Sequence, residues 1–185
     1  MPCLSARMWV FFAAITGAGC GHSSSSAGDS VTCAQPAGCA QPGPGTTQLS
    51  SPSVSFASDV VPLFETSCAT STLCHQGLTG SAVPSMSLLF LGTGMGAAAD
   101  SPSIYSALPV PSHELPSMSY VTPGDPGTSY LMHKMDGDQC QFESTCAIMP
   151  ASTTPCGAVM PIPCALADDQ RDVVRRWIAQ GALDN

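Results

Sequence analysis

Basic residues are scarce in this chain, which has five Lys and Arg against 13 Asp and Glu among 185 residues and a formal net charge of −8. A surface that binds nucleic acid must neutralise phosphates with many cations, so this composition excludes nucleic acid as the expected partner. An acidic surface can instead meet a basic protein partner.

Aromatic side chains are also few, with 3 Tyr, 2 Trp and 6 Phe. These side chains normally supply much of the apolar area of a core, so their number is small for a core built from side chains alone. The apolar content of 44% still permits one folded domain. We therefore expect a single domain whose core is supplemented by a prosthetic group or by disulfides.

No apolar run of transmembrane length follows residue 18, and the one run before it is short. Arg7 precedes apolar residues 8–18, the layout of a secretory signal, and this run is too short to span a bilayer. Small residues at 17–19 precede Cys20 and resemble a bacterial lipobox, although Gly17 replaces the usual Leu. We expect residues 1–20 to be a signal peptide with lipidation at Cys20; a plain cleaved signal is the alternative.

The cysteine count supports export. Of ten cysteines, eight remain once Cys3 and Cys20 are set aside, and an even number in an exported chain is typical of an oxidising compartment. The expected location is therefore the periplasm or the outer membrane, with a lipid anchor to the membrane.

Two regions differ sharply in composition. Residues 21–53 are rich in Ser, Gly, Pro, Gln and Thr and are predicted to form a disordered tether. Residues 54–185 are predicted to form the domain, which begins with "VSFASDVVPLFETSC". Ser58 or Asp59 can cap a short helix there that leads directly to Cys68.

Three further segments have predicted structures. "MSLLFLGTGMG" is either a buried strand or a short packed segment. "DPGTSYLMHKMDGD" predicts a short helix from about Thr128 to Met135 that ends at Gly137. Residues 139–164 contain four cysteines and are predicted to be a loop held by disulfides.

The clearest helix lies in "ALADDQRDVVRRWIAQGALDN", with Asp168 and Asp169 in its first turn and Gly181 at its end. Its apolar residues form one stripe, which needs a partner. The predicted partner is the apolar face of the helix before Cys68. The two sets are Val173, Val174, Trp177 and Ile178, and Val60, Val61 and Phe64.

The stretch "ETSCATSTLCHQG" contains Cys68, Cys74 and His75. Covalent haem attachment needs two thiols that reach two vinyl groups and a histidine beside the second thiol. On a regular helix, residues six apart are separated by about 600°, so both thiols reach one porphyrin only if residues 69–73 loop outward. Ser and Thr permit such a loop. The alternative is a disulfide between Cys68 and Cys74.

A second ligand is suggested downstream. Haem iron with a histidine on one side commonly takes Met on the other in electron-transfer proteins. In "CGAVMP", Met160 precedes a proline that fixes the backbone and has no amide hydrogen. Met149 also precedes a proline and is the closest rival.

"LMHKM" offers other candidates. Met132, His133 and Met135 could supply a second ligand or a soft copper site. The structural alternative is a helix whose Leu131 and Met135 face the core.

The order of "VSFASDVVPLFETSC", "CHQG", "PGDPGTSYLMHKMDGD", "CGAVMP" and "VVRRWIAQGALDN" resembles the c-type cytochrome domains of exported bacterial lipoproteins, especially those of myxobacteria and planctomycetes. The resemblance covers roughly residues 54–185, although the cysteines are more widely spaced than in the usual motif. It implies an all-α, class I cytochrome c-like fold with long irregular, disulfide-braced loops. It also implies haem c thioethers at Cys68 and Cys74, His75 as the proximal iron ligand and Met160 as the distal one.

The expected function is that of a mono-haem c-type cytochrome that carries single electrons between redox partner proteins at the cell envelope. Two axial ligands leave the iron no open site for substrate, so an enzyme is not expected. The alternatives are a haem-free, disulfide-braced lipoprotein that acts as a binding or structural module, and a small cytochrome that serves an enzyme on another chain.

With Cys68 and Cys74 attached to haem, the remaining cysteines of the mature chain would form three disulfides. Six cysteines allow 15 connectivities. We favour only the pair Cys33 and Cys39, because both lie in the tether. The other four are Cys140, Cys146, Cys156 and Cys164.

Overall fold

The computed structural model describes the chain over residues 48–71, 74–77, 89–93, 101–147 and 155–185. The regular secondary structure of these residues is helical. They contain no β-strand, only the isolated bridges Gln76–Gly92 and Pro111–Ser119. The all-α expectation is confirmed at this level, whereas the cytochrome c-like topology stays a prediction. The signal peptide, Cys20 and the tether up to residue 47 lie outside the described residues.

Four α-helices form the framework, and none of the helices in the described ranges is long and apolar enough to cross a membrane. A π-helical turn, Phe56–Val60, runs directly into the first helix, and two 3₁₀ turns flank the third. The α-helices are α1 Val61–Ser67, α2 Ser101–Ala107, α3 Tyr130–Asp136 and α4 Asp168–Ala179, and the 3₁₀ turns are Pro126–Thr128 and Gln139–Phe142.

The helix predicted before Cys68 is present. The predicted cap was wrong, because Ser58 and Asp59 lie inside a π-helical turn. Ser55 caps that turn instead by accepting a hydrogen bond from the Ser58 amide at 3.2 Å. Pro62 is the second residue of α1 and has no amide hydrogen, so it donates no hydrogen bond back to the π-helical turn that runs into the helix. The helix ends at Ser67, so Cys68 begins the next segment directly from a fixed element.

The terminal helix buries the stripe that its sequence predicts. Val174, Trp177 and Ile178 are buried, while Val173 is partly buried at the edge of the core. Trp177 stacks on Phe56 with ring centroids 4.8 Å apart, and its indole nitrogen donates to the Leu183 carbonyl at 2.9 Å. The partner of α4 is therefore the π-helical turn, with Phe56 as an aromatic contact that the sequence prediction did not include.

Both ends of the described domain meet at the end of α4. The Ala57 amide donates to the backbone carbonyl of Asn185 at 2.9 Å. The Gln180 side-chain amide donates to the carbonyls of Leu49 at 3.0 Å and Pro52 at 2.9 Å. These bonds hold the chain against the end of α4 from Leu49 onward, a few residues before the predicted start of the domain at residue 54.

The third helix lies close to its predicted position. Gly137 ends it with φ +70°, a left-handed conformation that favours glycine. Leu131, Met132 and Met135 are buried in the core, as the structural alternative for "LMHKM" expects. His133 engages Asp138 and the Gly127 carbonyl instead.

Ion pairs join α3 to α4. Arg171 is fully buried and pairs with Asp136 at the end of α3 and with Asp168 in its own helix. Arg175 pairs with Asp136 at 2.5 Å and with Asp172. Because a buried guanidinium requires charged partners, this arrangement restricts how the two helices can sit against each other.

Residues 89–93 form a packed segment rather than a strand. Leu89, Phe90 and Leu91 are buried, and Gly92 pairs with Gln76 in a single bridge. The remainder of "MSLLFLGTGMG" lies outside the described residues.

The disulfide-held region is confirmed. Cys146 and Cys156 are bonded to each other, and Cys140 and Cys164 are also disulfide-bonded. The predicted Cys33–Cys39 pair lies outside the described residues.

Truncating Trp177 tests the packing of α4. Trp177→Ala removes a side chain that is 1% exposed, so the free energy of unfolding should fall by about 3–5 kcal/mol. Denaturant unfolding measures this change. Leu183→Ala, at a side chain that is 57% exposed, is the control and should change stability by less than about 0.5 kcal/mol. A loss below about 1 kcal/mol for Trp177→Ala would show that the packing is wrong.

The contacts of His133 predict a pH-dependent contribution to stability. Burial lowers the pKa of His133, but the hydrogen bond and charge of Asp138 outweigh burial and raise the pKa above its ordinary value of 6.5. Folding therefore favours the imidazolium, so its contribution is complete below about pH 6.5 and is lost as the pH rises through the folded-state pKa. The stability advantage of the native protein over His133→Gln should thus be larger in mild acid than in mild base, as measured by urea unfolding. An advantage that grows with pH would contradict this assignment.

Candidate functional site

The two cysteines and the histidine of the sequence motif lie in one turn at the end of α1. The Cys68 amide donates to the Phe64 carbonyl at 2.8 Å, which continues the helix by one bond. The chain then reverses, because the Cys74 amide donates to the Ser71 carbonyl at 2.9 Å and the His75 amide donates to the Cys68 carbonyl at 3.1 Å. The loop between the cysteines thus closes on itself. Residues 72–73 of the loop lie outside the described residues.

Both motif cysteines carry free thiols, Cys68 buried and Cys74 half-buried. The Cys74 sulfur accepts hydrogen bonds from the Ser71 hydroxyl at 3.3 Å and from the Thr70 hydroxyl at 3.6 Å. These contacts explain why the loop is rich in Ser and Thr, since their hydroxyls bind the thiol within the turn.

Burial keeps Cys68 protonated. Desolvation, and secondarily the neighbouring Cys74, raise the pKa of the Cys68 thiol to about 12. At neutral pH the thiolate fraction is then roughly a thousandfold below that of an ordinary cysteine. Because the thiolate is the attacking species in disulfide exchange, Cys68 is a poor partner for exchange in the folded chain.

The imidazole of His75 is oriented by a backbone carbonyl. Its Nδ1 lies 3.1 Å from the Leu89 oxygen. A carbonyl oxygen only accepts hydrogen bonds, so Nδ1 carries the proton and Nε2 keeps its lone pair. Burial, the largest influence, lowers the pKa of His75, and the positive charge of Lys134 lowers it further. Neutral imidazole with a fixed tautomer is the form that ligates metals.

Residues 89–93 form backbone hydrogen bonds with His75 and with Gly77, which follows it in the chain. The Leu91 amide donates to the His75 carbonyl at 3.0 Å, and the Gly77 amide donates to the Gly92 carbonyl at 3.0 Å. The histidine backbone is therefore tied to Cys68 on one side and to this packed segment on the other.

A buried carboxylate holds that segment against α1. Glu65 is 3% exposed and accepts a hydrogen bond from the Thr93 amide at 3.1 Å. Gly92 has φ +140°, and a Cβ at this position would collide with the Glu65 carboxylate. The position therefore requires glycine, which lets the segment approach α1 closely.

Met160 lies on a different segment that rests on α3. Its amide donates to the Lys134 carbonyl at 2.9 Å, and the neighbouring Val159 is buried. The rival Met149 lies outside the described residues. Met160 is thus not part of the turn that contains Cys68 and His75.

Sequence reasoning missed a buried polar cluster against the segment that contains Met160. Lys134 is 6% exposed, and its ammonium lies 2.9 Å from Glu114 Oε2 and 2.6 Å from the Cys156 carbonyl. The Tyr130 hydroxyl donates to the same Glu114 oxygen at 2.8 Å. Burial lowers the pKa of Lys134, against the opposing effect of Glu114. A sequence signal was present: Lys134 is the single lysine of the chain and falls among apolar helix residues.

The rival ligands in "LMHKM" are engaged elsewhere. Both ring nitrogens of His133 face acceptors, Asp138 at 2.8 Å and the Gly127 carbonyl at 3.0 Å. Met132 and Met135 are buried in the apolar core. Within the described ranges, no group of three or more His, Cys, Asp or Glu side chains is arranged to hold a bare metal ion.

Comparison with protein-family models, with curated proteins and with solved structures finds no match to this chain. Its function must therefore be inferred from its own residues and contacts.

Proposed function

We propose that the chain is a mono-haem c-type cytochrome-like envelope protein that carries single electrons between partner proteins. The observation that carries this proposal is the state of His75. Its Nδ1 is bound to the Leu89 carbonyl, which leaves the Nε2 lone pair for iron, and its backbone is tied to Cys68. The residue set fits haem c: two thiols and a neutral, oriented imidazole within one turn.

The cysteines of the described residues divide into two groups, and this division supports thioether attachment. Cys68 and Cys74 are free, whereas the other four described cysteines are in disulfides. Each free thiol can add its S–H across a vinyl group of haem. Cys68 and Cys74 would each form a carbon–sulfur bond in this way, with the hydrogen going to the other vinyl carbon and no oxidant needed.

The residues have distinct roles in this proposal. His75 would be the proximal ligand and Met160 the distal one, with Met160 held through its amide by the Lys134 carbonyl. Haem iron, when bound, supplies the one-electron redox couple. If both side chains bound the iron, no open position would be left for a substrate, so this assignment favours an electron carrier over an enzyme.

The surface charge favours a basic redox partner. Of the described cations, Lys134, Arg171 and Arg175 are bound to carboxylates of the same domain. No lysine or arginine among the described residues is exposed, so acidic side chains dominate the exposed charge of that part of the chain. Exposed examples are Asp59, Asp125, Asp169 and Asp184. The envelope location and the lipid anchor at Cys20 belong to the same proposal and rest on the sequence of residues 1–20.

The second candidate is the haem-free, disulfide-braced lipoprotein that acts as a binding or structural module. One observation favours it: the core of buried side chains from α1, α3 and α4 is continuous without a prosthetic group. The Cys146–Cys156 bridge further braces the loop between α3 and α4.

Covalent haem content distinguishes the two candidates. The full chain, exported in a host with haem-attachment machinery, should show a c-type visible spectrum, and peptide mapping should find thioethers at Cys68 and Cys74. Replacing both cysteines with Ala should abolish covalent haem, because both attachment points are lost. His113→Ala, at an exposed histidine outside the site, is the control and should retain it. A disulfide between Cys68 and Cys74 in the same preparation would contradict the cytochrome proposal.

The distal ligand can be assigned with a matched pair of variants. Met160→Ala should abolish the sulfur-to-iron absorption band and lower the reduction potential, because a thioether ligand raises it. Met149→Ala removes the same side chain from the other Met-Pro pair and should change neither property. Absorption spectra and redox titration measure both. The opposite pattern would assign the iron to Met149.

A further inference from the structure

Lys134 occupies an unusual position for the single lysine of a chain with five basic residues. An ammonium group is costly to bury unless charged or polar partners compensate. The ammonium of Lys134 has two such partners, the Glu114 carboxylate at 2.9 Å and the Cys156 carbonyl at 2.6 Å. The lysine therefore joins three segments of the chain at one point.

The same residue also holds the segment that contains Met160. The side chain of Lys134 binds the Cys156 carbonyl at the start of residues 156–160, and its backbone carbonyl accepts the Met160 amide at their end, at 2.9 Å. Both ends of this short segment are thus fixed by one residue of α3.

Gly157 lets the segment lie directly on the ion pair. Its φ is +59°, and a Cβ there would come within 2.7 Å of Glu114 Oε1 and 3.0 Å of the Lys134 ammonium. A side chain there would displace the Glu114 carboxylate, and the left-handed φ would be strained for any residue other than glycine. The glycine of "CGAVMP" is therefore explained by contact with a buried ion pair.

Other contacts restrain the same segment and its ion pair. Cys156 is covalently bonded to Cys146, and its carbonyl lies 3.4 Å from the Tyr130 hydroxyl. The backbone carbonyl of Glu114 accepts the Ala147 amide at 2.7 Å. The carboxylate that pairs with Lys134 is therefore on a segment that is itself held in place.

We propose that Lys134, acting with Glu114, is a positioning residue that holds residues 156–160 on α3 and so presents Met160 to the iron before haem is bound. The ligand role of Met160 rests on the proposed function, whereas the positioning of the segment belongs to the chain alone. A thioether makes one neutral contact with iron, which contributes little binding energy. It therefore binds better when the segment that carries it is already ordered before the sulfur–iron bond forms.

Hydrogen exchange tests the positioning in the full chain prepared without haem. In the native protein the Met160 amide should be protected, because it donates to the Lys134 carbonyl. Lys134→Met keeps the length of the side chain and removes its charge, so the Met160 amide should exchange at least about tenfold faster. Arg176→Met removes a cation of α4 outside the cluster and is the matched control, with unchanged exchange at Met160. Far-UV circular dichroism confirms that each variant is folded.

Gly157→Ala provides a second route to the same displacement, with Lys134 and Glu114 intact. It should also speed exchange of the Met160 amide, because the added methyl group strains the left-handed backbone and displaces the Glu114 carboxylate from its place beside the segment. A third readout is amine-specific labelling of the single lysine, located by peptide mapping. Labelling should be slow in the native protein and faster in Gly157→Ala. Met160 exchange within about twofold of the native rate in folded Lys134→Met or Gly157→Ala would overturn the proposal.

Haem-loaded protein separates this proposal from the proposed function. Lys134→Met should retain covalent haem at Cys68 and Cys74 but lose the sulfur-to-iron band, with a reduction potential close to that of Met160→Ala. An intact band in this variant would overturn the positioning role. If the native chain takes up no covalent haem, the cytochrome proposal fails, and the exchange measurements still decide whether Lys134 holds the segment.

Discussion

The contact of Trp177 with Phe56, stacked at 4.8 Å, is the interaction on which the rest of the structure depends. It joins the last helix to the turn that starts the domain, and that turn continues into α1 and ends at Cys68. From α4, the buried Arg171 reaches Asp136 at the end of α3. The candidate thiols and Met160 are therefore both positioned from the same helix, one through α1 and the other through α3.

The scarcity of aromatic and basic side chains has a visible structural consequence. The few aromatic rings are concentrated where elements meet, as at Phe56 and Trp177, and the lysine is placed inside the domain. Buried ion pairs contribute little net stability, because desolvation offsets much of the attraction, but removing one partner is costly. Such pairs therefore fix the arrangement of α3, α4 and the loop of Glu114 more than they add to the free energy of folding. Disulfides act in the same region, where regular structure is short.

Backbone hydrogen bonds position the two candidate iron ligands of the site. His75 is fixed by its own amide and carbonyl and by the Leu89 carbonyl, and Met160 is fixed by its amide. Contacts of this kind order the backbone of both residues, an entropic cost that the packing of the surrounding segments offsets. In the proposed haem site, side chains whose backbone is fixed in this way would move little between the two oxidation states of the iron.

Local sequence patterns were sufficient to predict the helices α1, α3 and α4. The stripe of α4 and the glycine that ends α3 depend on residues within a few positions of each other, and both are present in the structure. The predicted cap was wrong: it is Ser55 rather than Ser58 or Asp59, because the helical stretch begins earlier, with a π-helical turn. The disulfide-held loop was also predicted, although the partner of Cys146 was not. The haem ligands were named from motif order and resemblance, and their role as ligands stays a prediction.

The sequence alone determined the local features of this protein. These are its helices, its small number of basic and aromatic residues, and the adjacent positions of Cys74 and His75. Only the tertiary structure decided which tautomer His75 adopts, because Leu89 reaches it across a loop, and that Lys134 is buried, because its partners Glu114 and Cys156 lie far from it in the chain. Helical and turn patterns repeat over a few residues, whereas these pairings depend on how the segments pack together.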